Sequence, residues 1–476
     1  MQVNTAAGYK TILIQKGFWL FTGRVMPVAV LFLITILYSR HLSYEDYGKF
    51  QSVWMYTNII NVFISFGITS VLLSSNLSFL FAFIKRHSRK IISFYSLLWI
   101  TVLSVFFWYG KNFHPSTKYL LILFIIIQNV VTVLETLQIK NHKEKFVFSI
   151  NFIYSLLFFL WHYYVLISGF NLNNLISGII IIALLKVAVM FLPNRREDSN
   201  AEVAQDKTFL KHWIYLGLND IFGVIAKWID KLFLLYLLTA ADFAIFFNGS
   251  FEIPLFGLLI SVVGSILLID IAGIISAKPK VIKIFNEGFR ILSIIVFPLF
   301  LFLFFFRVEL FAIIFNHKYD ASIPVFLISI FILPVRINNY SSILQCYSSG
   351  NKILYGSILD ILIILILMLF LYPAMGTQGV ALAIVIGTYC QALYYLWQSA
   401  KVLNTNILSL IPLKALSVTF VVMLIFFTVL YYGLNKTPYE VRLVTGMIAT
   451  VLIILTGVYL YFSKKRLTTY GFTTKT

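Results

Sequence analysis

Charged residues are scarce in this sequence, and acidic residues are the scarcest of them. Only 12% of its 476 residues are Asp, Glu, Lys or Arg, and 60% are hydrophobic. Soluble domains carry about 25% charged and about 45–50% apolar residues. A soluble chain of this length would also divide into domains joined by polar linkers, whereas the only long polar stretch is residues 193–212. These shortages exclude an ordinary soluble protein and indicate a membrane protein.

Motifs for catalysis are missing as well. The sequence has no Walker motif, no nucleotide-binding glycine loop and no nucleophile elbow, so neither ATP hydrolysis nor acyl transfer is indicated. Its two cysteines, Cys346 and Cys390, are far apart and lack metal or redox spacing. We therefore expect no enzyme activity, no cofactor and no metal site.

Long apolar blocks separated by short loops fill most of the chain. Because hydrocarbon offers no partner for backbone amides, a run of about 20 apolar residues must close its hydrogen bonds within a helix. The blocks predict an all-α polytopic membrane protein with about fourteen transmembrane helices. The predicted spans are 17–38, 51–73, 92–109, 118–138, 146–167, 172–193, 213–238, 248–270, 290–306, 322–344, 353–373, 377–397, 408–432 and 440–462.

Basic residues predict the orientation in the membrane. Lys and Arg outnumber Asp and Glu by 37 to 18, and they gather in alternate loops, including residues 85–90, 140–145 and 464–466. Lys and Arg accumulate on the cytoplasmic side, so both termini are predicted to be cytoplasmic in a bacterial inner membrane. The positive charge also predicts contact with anionic membrane lipids. Nucleic acid is excluded as a partner, since no soluble basic domain is present.

A short outer-loop segment occurs twice. Residues 42–50 read LSYEDYGKF and residues 238–246 read LTAADFAIF. Six predicted helices separate the two segments, so the units that follow them have the same orientation and form a parallel repeat. The predicted organisation is an N-terminal six-helix lobe (1–193), a cytoplasmic linker (194–212), a C-terminal six-helix lobe (213–400), and two extra helices with a cytoplasmic tail (401–476).

The same regions carry a resemblance to a known family. The basic N-terminus, a first helix with an intramembrane arginine (GFWLFTGRVMP, 17–27) and a loop of the form L-x-x-x-D-Y-G-x-F resemble the polysaccharide-exporting branch of the multidrug/oligosaccharidyl-lipid/polysaccharide (MOP) exporter superfamily. The loop pattern is carried by Leu42, Asp46, Tyr47, Gly48 and Phe50. The second copy departs from it, because Ala244 stands in the place of Gly48 and Asp220 in the place of Arg24.

This resemblance implies a flippase that moves a polyprenyl-diphosphate-linked oligosaccharide, such as an O-antigen or capsule repeat unit, from the inner to the outer leaflet by alternating access. It also implies a polysaccharide polymerase and other assembly proteins as partners. Two alternatives remain at this point. One is a cation-coupled drug or metabolite antiporter of the same superfamily. The other is a membrane glycosyltransferase or polysaccharide polymerase, which would normally have a long polar outer loop.

Charged side chains within the spans are the candidate site. Insertion of an ionisable group at the bilayer centre costs at least about 2.5 kcal/mol, so such groups normally face water, one another or a substrate. At 100° per residue, Asp220, Lys227 and Lys231 fall on one face of a helix, flanked by Asp230. We predict that Arg24, Lys227 and Lys231 bind the cargo diphosphate. Salt bridges to Asp220 and Asp230 are the structural alternative.

Other polar residues in the spans have weaker predicted roles. Asp360 could pair with a cavity base, bind a coupling proton or cation, or accept a local hydrogen bond. Asn58 and Asn61 are candidates for sugar contact, although amides also join helices in membranes. Glu135 and Lys186 lie near helix ends, where we expect both to reach the membrane interfaces.

Overall fold

The part of the chain that the structure describes is almost entirely helical. The structure is a computed structural model that describes residues 4–74, 77–109, 113–141, 143–191, 206–250, 267, 271, 274, 276–347 and 349–470. The α-helices in these ranges are α1 (Asn4–His41), α2 (Tyr44–Ser65), α3 (Ile68–Ser74), α4 (Leu77–Arg86), α5 (Ser88–Tyr109), α6 (Pro115–Lys140), α7 (Glu144–Ile167), α8 (Leu172–Met190), α9 (Asp206–Leu235), α10 (Ala240–Gly249), α11 (Lys278–Phe305), α12 (Arg307–Phe315), α13 (Ile323–Ser329), α14 (Ser342–Cys346), α15 (Gly350–Met375), α16 (Thr377–Leu403), α17 (Leu413–Gly433) and α18 (Tyr439–Tyr470).

Many of these helices are long and apolar enough to cross a bilayer. Within the described ranges there are nine such helices, and Val25–His41 of α1 is a shorter apolar segment. In α5 only 6% of the most apolar window is buried, as expected where lipid covers the helix. The predicted all-α polytopic membrane fold is confirmed, and the number fourteen stays a prediction.

The repeated segment forms the same helix start in both copies. Before α2, the Ser43 hydroxyl accepts a hydrogen bond from the Asp46 amide (3.1 Å) and donates to the Asp46 carboxylate (2.7 Å). Before α10, Thr239 and Asp242 make the same two bonds at 3.2 and 2.8 Å. Each hydroxyl thereby satisfies an amide that the first helical turn leaves without a partner. The two copies therefore share local structure as well as sequence.

One predicted span is broken in two. The sequence predicts a single helix over 51–73, but α2 ends at Ser65 and α3 begins at Ile68. At the break, Phe66 (φ 37°) and Gly67 (φ 73°) have left-handed backbone conformations. Such a conformation is unusual for a bulky residue and persists only when surrounding contacts hold it.

Two other predicted spans are not seen as single helices. One is interrupted, and most of the other lies outside the described residues. The span predicted over 322–344 consists of α13, a 3₁₀ segment at Ile330–Arg336 that contains Pro334, and the start of α14. Proline removes an amide donor and bends or ends a helix. Most of the span predicted over 248–270 lies outside the described residues.

The chain divides into two compact units. The first comprises Met1–Trp228 with Leu235–Ala244, and the second comprises Ile229–Leu234 with Ile245–Thr476. In the first unit, α1 packs along α7 and α6 along α8. In the second, α15 packs along α16, and α11 contacts α17 and α18. Residues 194–205 of the predicted linker lie outside the described part, so the lobe boundaries stay a prediction.

Each unit has an aromatic-rich apolar core. One cluster in the first unit packs α3 and α4 against α9. Its buried members are Val71, Leu72, Leu80, Phe83, Phe209 and Trp213. In the second unit, one cluster centres on α11 and takes in residues of α16 and α17. Its α11 members are Val281, Phe285, Phe289, Leu292, Val296 and Phe297.

Candidate functional site

Helix α9 carries the charged stretch that the sequence singles out. It is continuous from Asp206 to Leu235, so Asp220, Lys227 and Lys231 lie along one face, as helical periodicity requires. The Lys227 side chain is exposed, and its ammonium nitrogen is 5.7 Å from the centre of the Trp228 ring. Lys227 therefore places a positive charge on an open part of the helix surface.

The first half of α9 packs against the break between α2 and α3. Ser70 donates a hydrogen bond of 2.8 Å to Oδ2 of Asp220, and the Trp213 indole donates to the Phe66 carbonyl at 3.1 Å. A Cβ on Gly67 would lie 2.6 Å from the backbone nitrogen of Gly217. These contacts hold the left-handed break in place, and they give Asp220 a hydroxyl partner.

Asp230 and Lys231 form an ion pair within the second unit. Nζ of Lys231 is 2.8 Å from Oδ2 of Asp230, and the Asp230 side chain is only 6% exposed. Oδ1 of Asp230 has no hydrogen-bond partner among the described residues. The Lys231 ammonium also lies 5.9 and 5.8 Å from the rings of Phe246 and Phe247. The charge of Lys231 is thus partly balanced by its neighbour on the same helix.

Asp360 is buried on α15, with 7% of its surface exposed. Its Oδ1 has no hydrogen-bond partner in the described part of the chain. On the facing helix α16, a Cβ at Gly387 would lie 3.0 Å from that oxygen, so glycine leaves room for the carboxylate. Arg336 lies within electrostatic range of Asp360, which identifies a cationic neighbour for it.

The remaining predicted site residues lie on the first two helices. Arg24 follows Gly23 in α1, and its side chain lies outside the described part of the structure. The Asn58 side chain is exposed, and its amide donates to the Trp54 carbonyl one turn earlier (2.8 Å). Asn61 accepts a 2.9 Å bond from the Asn129 side chain on α6. Asn61 therefore joins two helices, as the alternative interpretation of the amides anticipates.

A buried polar network in the first unit was not predicted from the sequence. Nζ of Lys186 on α8 lies 3.2 Å from Oε2 of Glu135 on α6, and the Asn151 amide on α7 donates to Oε1 of Glu135 at 2.9 Å. The Lys186 side chain is only 6% exposed. The prediction that Lys186 reaches the interface is therefore wrong, because a carboxylate on a neighbouring helix pairs with it inside the bundle.

A second buried pair anchors the C-terminal helices. Nη1 of Arg442 on α18 lies 2.8 Å from Oε1 of Glu309 on α12. Nη2 of the same arginine donates to the carbonyls of Asn435 and Thr437 at 2.8 and 3.2 Å. Glu309 follows the predicted span 290–306 and Arg442 is near the start of the predicted span 440–462, and the sequence alone does not indicate that the two pair.

Known structures share this arrangement of helices. The fold is similar to a structure titled as the lipid II flippase MurJ in an inward closed conformation, with a TM-score of 0.68 and 14% identity over 95% of this chain and 99% of that chain. It is also similar to inward-facing and outward-facing structures of a multidrug resistance MATE family transporter of the MOP superfamily. Their TM-scores are 0.56 and 0.51, at 12% and 13% identity, over 81% and 82% of this chain and 98% and 95% of those chains.

The fold is therefore similar to the folds of MurJ and of the MATE transporter. Residues 37–324 match the family model described as "Polysaccharide biosynthesis protein", which is more than half of the chain. The chain belongs to this polysaccharide biosynthesis protein family, and the resemblance drawn from residues 17–27 and 42–50 is confirmed. Among curated proteins, none matches the chain.

Proposed function

We propose that this protein is a flippase that moves a polyprenyl-diphosphate-linked oligosaccharide from the inner to the outer leaflet of a bacterial inner membrane. The observation that carries the proposal is the extent of the MurJ-like fold, which takes in 95% of this chain and 99% of that one. MurJ is named as the flippase of a lipid, and the family of this chain is named for polysaccharide biosynthesis. A glycan attached to a lipid combines the two.

A drug or metabolite antiporter is the second candidate. The MATE structures support it through their shared fold, but 98% of the inward-facing MATE chain is matched within 81% of this one. The present chain is therefore longer than a MATE core, whereas it has nearly the full extent of MurJ. That difference in length favours the flippase.

Cargo contact is proposed for the cations of α1 and α9. Arg24 would form paired hydrogen bonds with diphosphate oxygens, and Lys227 would add a mobile charge. The exposure of Lys227 supports this assignment. For Lys231, the ion pair with Asp230 supports charge pairing at least as well as cargo contact. The Asn58 amide is exposed and, besides its bond to the Trp54 carbonyl, has an oxygen and a second N–H that can meet sugar hydroxyls, while Asn61 is engaged with Asn129 on another helix.

Asp360 is proposed to couple transport to a proton or cation, because it is buried with a carboxylate oxygen that lacks a hydrogen-bond partner among the described residues. Asp360→Asn keeps the size of the side chain and removes its ability to ionise. The free energy that couples two binding sites in a protein is usually about 1–3 kcal/mol. If Asp360 couples ion binding to transport, its loss should lower transport roughly 5- to 150-fold. Surface polysaccharide would be measured over a range of external pH and sodium concentration. Asp320→Asn, at an exposed acid outside the spans, is the control, and unaltered export by Asp360→Asn under every condition excludes the coupling role.

The direct test of the function is the leaflet location of the lipid-linked oligosaccharide in cells with and without the gene. In cells that lack the gene, we expect completed units to accumulate facing inward, because their charged diphosphate and sugars cannot cross hydrocarbon unaided. Accessibility of the units to a sugar-binding protein added outside the membrane gives the measurement.

Two other outcomes would contradict the flippase. Outward-facing units at wild-type abundance would favour the antiporter. The absence of any completed unit would point to an enzyme of cargo synthesis. Re-expression of the wild-type gene is the control in each case, since it should restore outward-facing units.

A further inference from the structure

Helix α1 contains a proline that leaves one of its carbonyls short of a donor. Pro27 lies inside the helix and has no N–H, so the carbonyl of Gly23, four residues earlier, loses its usual intrahelical bond. In a membrane span such a carbonyl needs another partner, because lipid supplies none. The side-chain amide of Asn151 on α7 donates to the Gly23 oxygen at 3.2 Å. Asn151 thus supplies the donor that Pro27 lacks.

The packing around Gly23 allows this bond. A Cβ on Gly23 would lie 3.3 Å from the backbone Cα of Phe148 on α7, so the two helices approach closely at this level. Asn151 itself is 2% exposed. Its amide therefore works within the helix bundle, where competition from water is small.

The Glu135–Lys186 pair fixes the orientation of that amide. The Asn151 nitrogen donates to two acceptors, the Gly23 carbonyl and Oε1 of Glu135. A flipped amide would place its oxygen against both acceptors, so only one orientation is favourable. Glu135 is held in turn by the Lys186 ammonium at 3.2 Å, which also lies 4.6 Å from the centre of the Tyr154 ring. The network links α1, α7, α6 and α8.

We propose that Asn151 is a positioning residue for Arg24, and that the Glu135–Lys186 pair holds its amide in place. Arg24 directly follows Gly23, so the bond to the Gly23 carbonyl fixes the backbone of α1 where that arginine begins. The inference rests on the proposed function, in which Arg24 binds the diphosphate of the cargo. This role explains why the Asn151 amide of α7 and the ion pair between α6 and α8 lie next to the proline-containing part of α1.

The test is binding of a polyprenyl diphosphate to the purified full-length protein in lipid nanodiscs. Asn151→Leu keeps the approximate size of the side chain and removes the donor. We expect it to weaken binding about tenfold, which corresponds to about 1.4 kcal/mol, because Arg24 is then no longer held in the binding position. Pro27→Ala restores the backbone N–H that the Gly23 carbonyl can accept. The double variant Asn151→Leu/Pro27→Ala should therefore regain most of the lost affinity.

A matched control separates positioning from stability. The Gln138 amide on α6 also donates to a backbone carbonyl on another helix, that of Met190 at 2.9 Å, and the residue is 1% exposed. Gln138→Leu should lower the unfolding temperature without changing binding. In the Arg24→Ala background, Asn151→Leu should weaken binding no further, because it acts through the arginine.

The outcomes distinguish this inference from the proposed function. If Asn151→Leu only lowers the unfolding temperature, as Gln138→Leu does, while Arg24→Ala weakens binding, then the positioning role is overturned and the diphosphate contact stands. An Arg24→Ala protein that binds like the wild type overturns the diphosphate contact and the positioning role together. Failure of Pro27→Ala to restore binding overturns the assignment of Asn151 as the replacement donor.

Discussion

Arg24→Ala and Lys227→Ala should each reduce surface polysaccharide by about 10- to 100-fold while leaving protein levels unchanged. Each removes a charge-assisted contact with a phosphate, which contributes about 1.5–3 kcal/mol. Arg24 lies in α1, and Lys227 is exposed on α9, so neither substitution removes an apolar core side chain. Export would be measured as polysaccharide at the cell surface, and protein levels by immunoblot of the membranes.

Each of these substitutions has a control on its own helix. Arg40 is an exposed arginine in the last turn of α1, and Lys211 is an exposed lysine near the start of α9. Arg40→Ala and Lys211→Ala remove the same charges away from the proposed cargo contact and should leave export unchanged. Normal export in both Arg24→Ala and Lys227→Ala would make the diphosphate contact wrong and leave charge pairing as the role of these residues.

Hydropathy predicts the helical spans well wherever a helix faces lipid. The span predicted over 353–373 lies within α15 (Gly350–Met375), and the span predicted over 92–109 lies within α5 (Ser88–Tyr109). A helix surrounded by lipid must close its own hydrogen bonds and be apolar over its length. Composition therefore decides both its existence and its approximate extent.

The break between α2 and α3 has no comparable signal. The segment around Phe66 and Gly67 is mostly apolar, with only Ser65, Thr69 and Ser70 as polar neighbours, and its hydropathy suits a continuous helix. The turn is held by partners that are distant in sequence, namely the Trp213 indole and the backbone of Gly217. Tertiary contacts of this kind override local preference, and a single sequence does not reveal them.

The candidate site shows the same contrast between what the sequence predicts and what contacts distant in sequence determine. Helical periodicity places Asp220, Lys227 and Lys231 on one face, but it does not identify their partners. Asp220 bonds to Ser70, which is 150 residues away in the chain. The short distance of Lys186 from a helix end predicts an interfacial position, but its partner Glu135 lies on another helix inside the bundle. The sequence places a charge on a helix face, but it does not reveal which residue of another helix that charge contacts.

Gly48→Ala should lower the free energy of unfolding by about 3 kcal/mol, at the upper end of the usual overpacking cost. A Cβ at Gly48 would lie 2.0 Å from the carbonyl oxygen of Ala240 and 2.8 Å from its carbon. Both atoms belong to the backbone, so no side-chain rotation relieves the overlap, and α2 must shift. The equivalent residue of the second repeat copy, Ala244, is fully buried with its Cβ in place. The glycine of the L-x-x-x-D-Y-G-x-F pattern is thus required by a contact that the second copy does not make at Ala244.

The apparent unfolding temperature of the purified protein in detergent would measure this effect. Gly223→Ala is the matched control, because Gly223 is a helical glycine of α9 whose Cβ would meet no atom within 4 Å. There alanine should raise stability by about 0.5–1 kcal/mol, since it reduces the conformational freedom lost on folding. If Gly48→Ala unfolds at the temperature of Gly223→Ala, α2 moves away from Ala240 at little cost. The close contact would then not explain the glycine, and a flexible backbone at position 48 would be the better explanation.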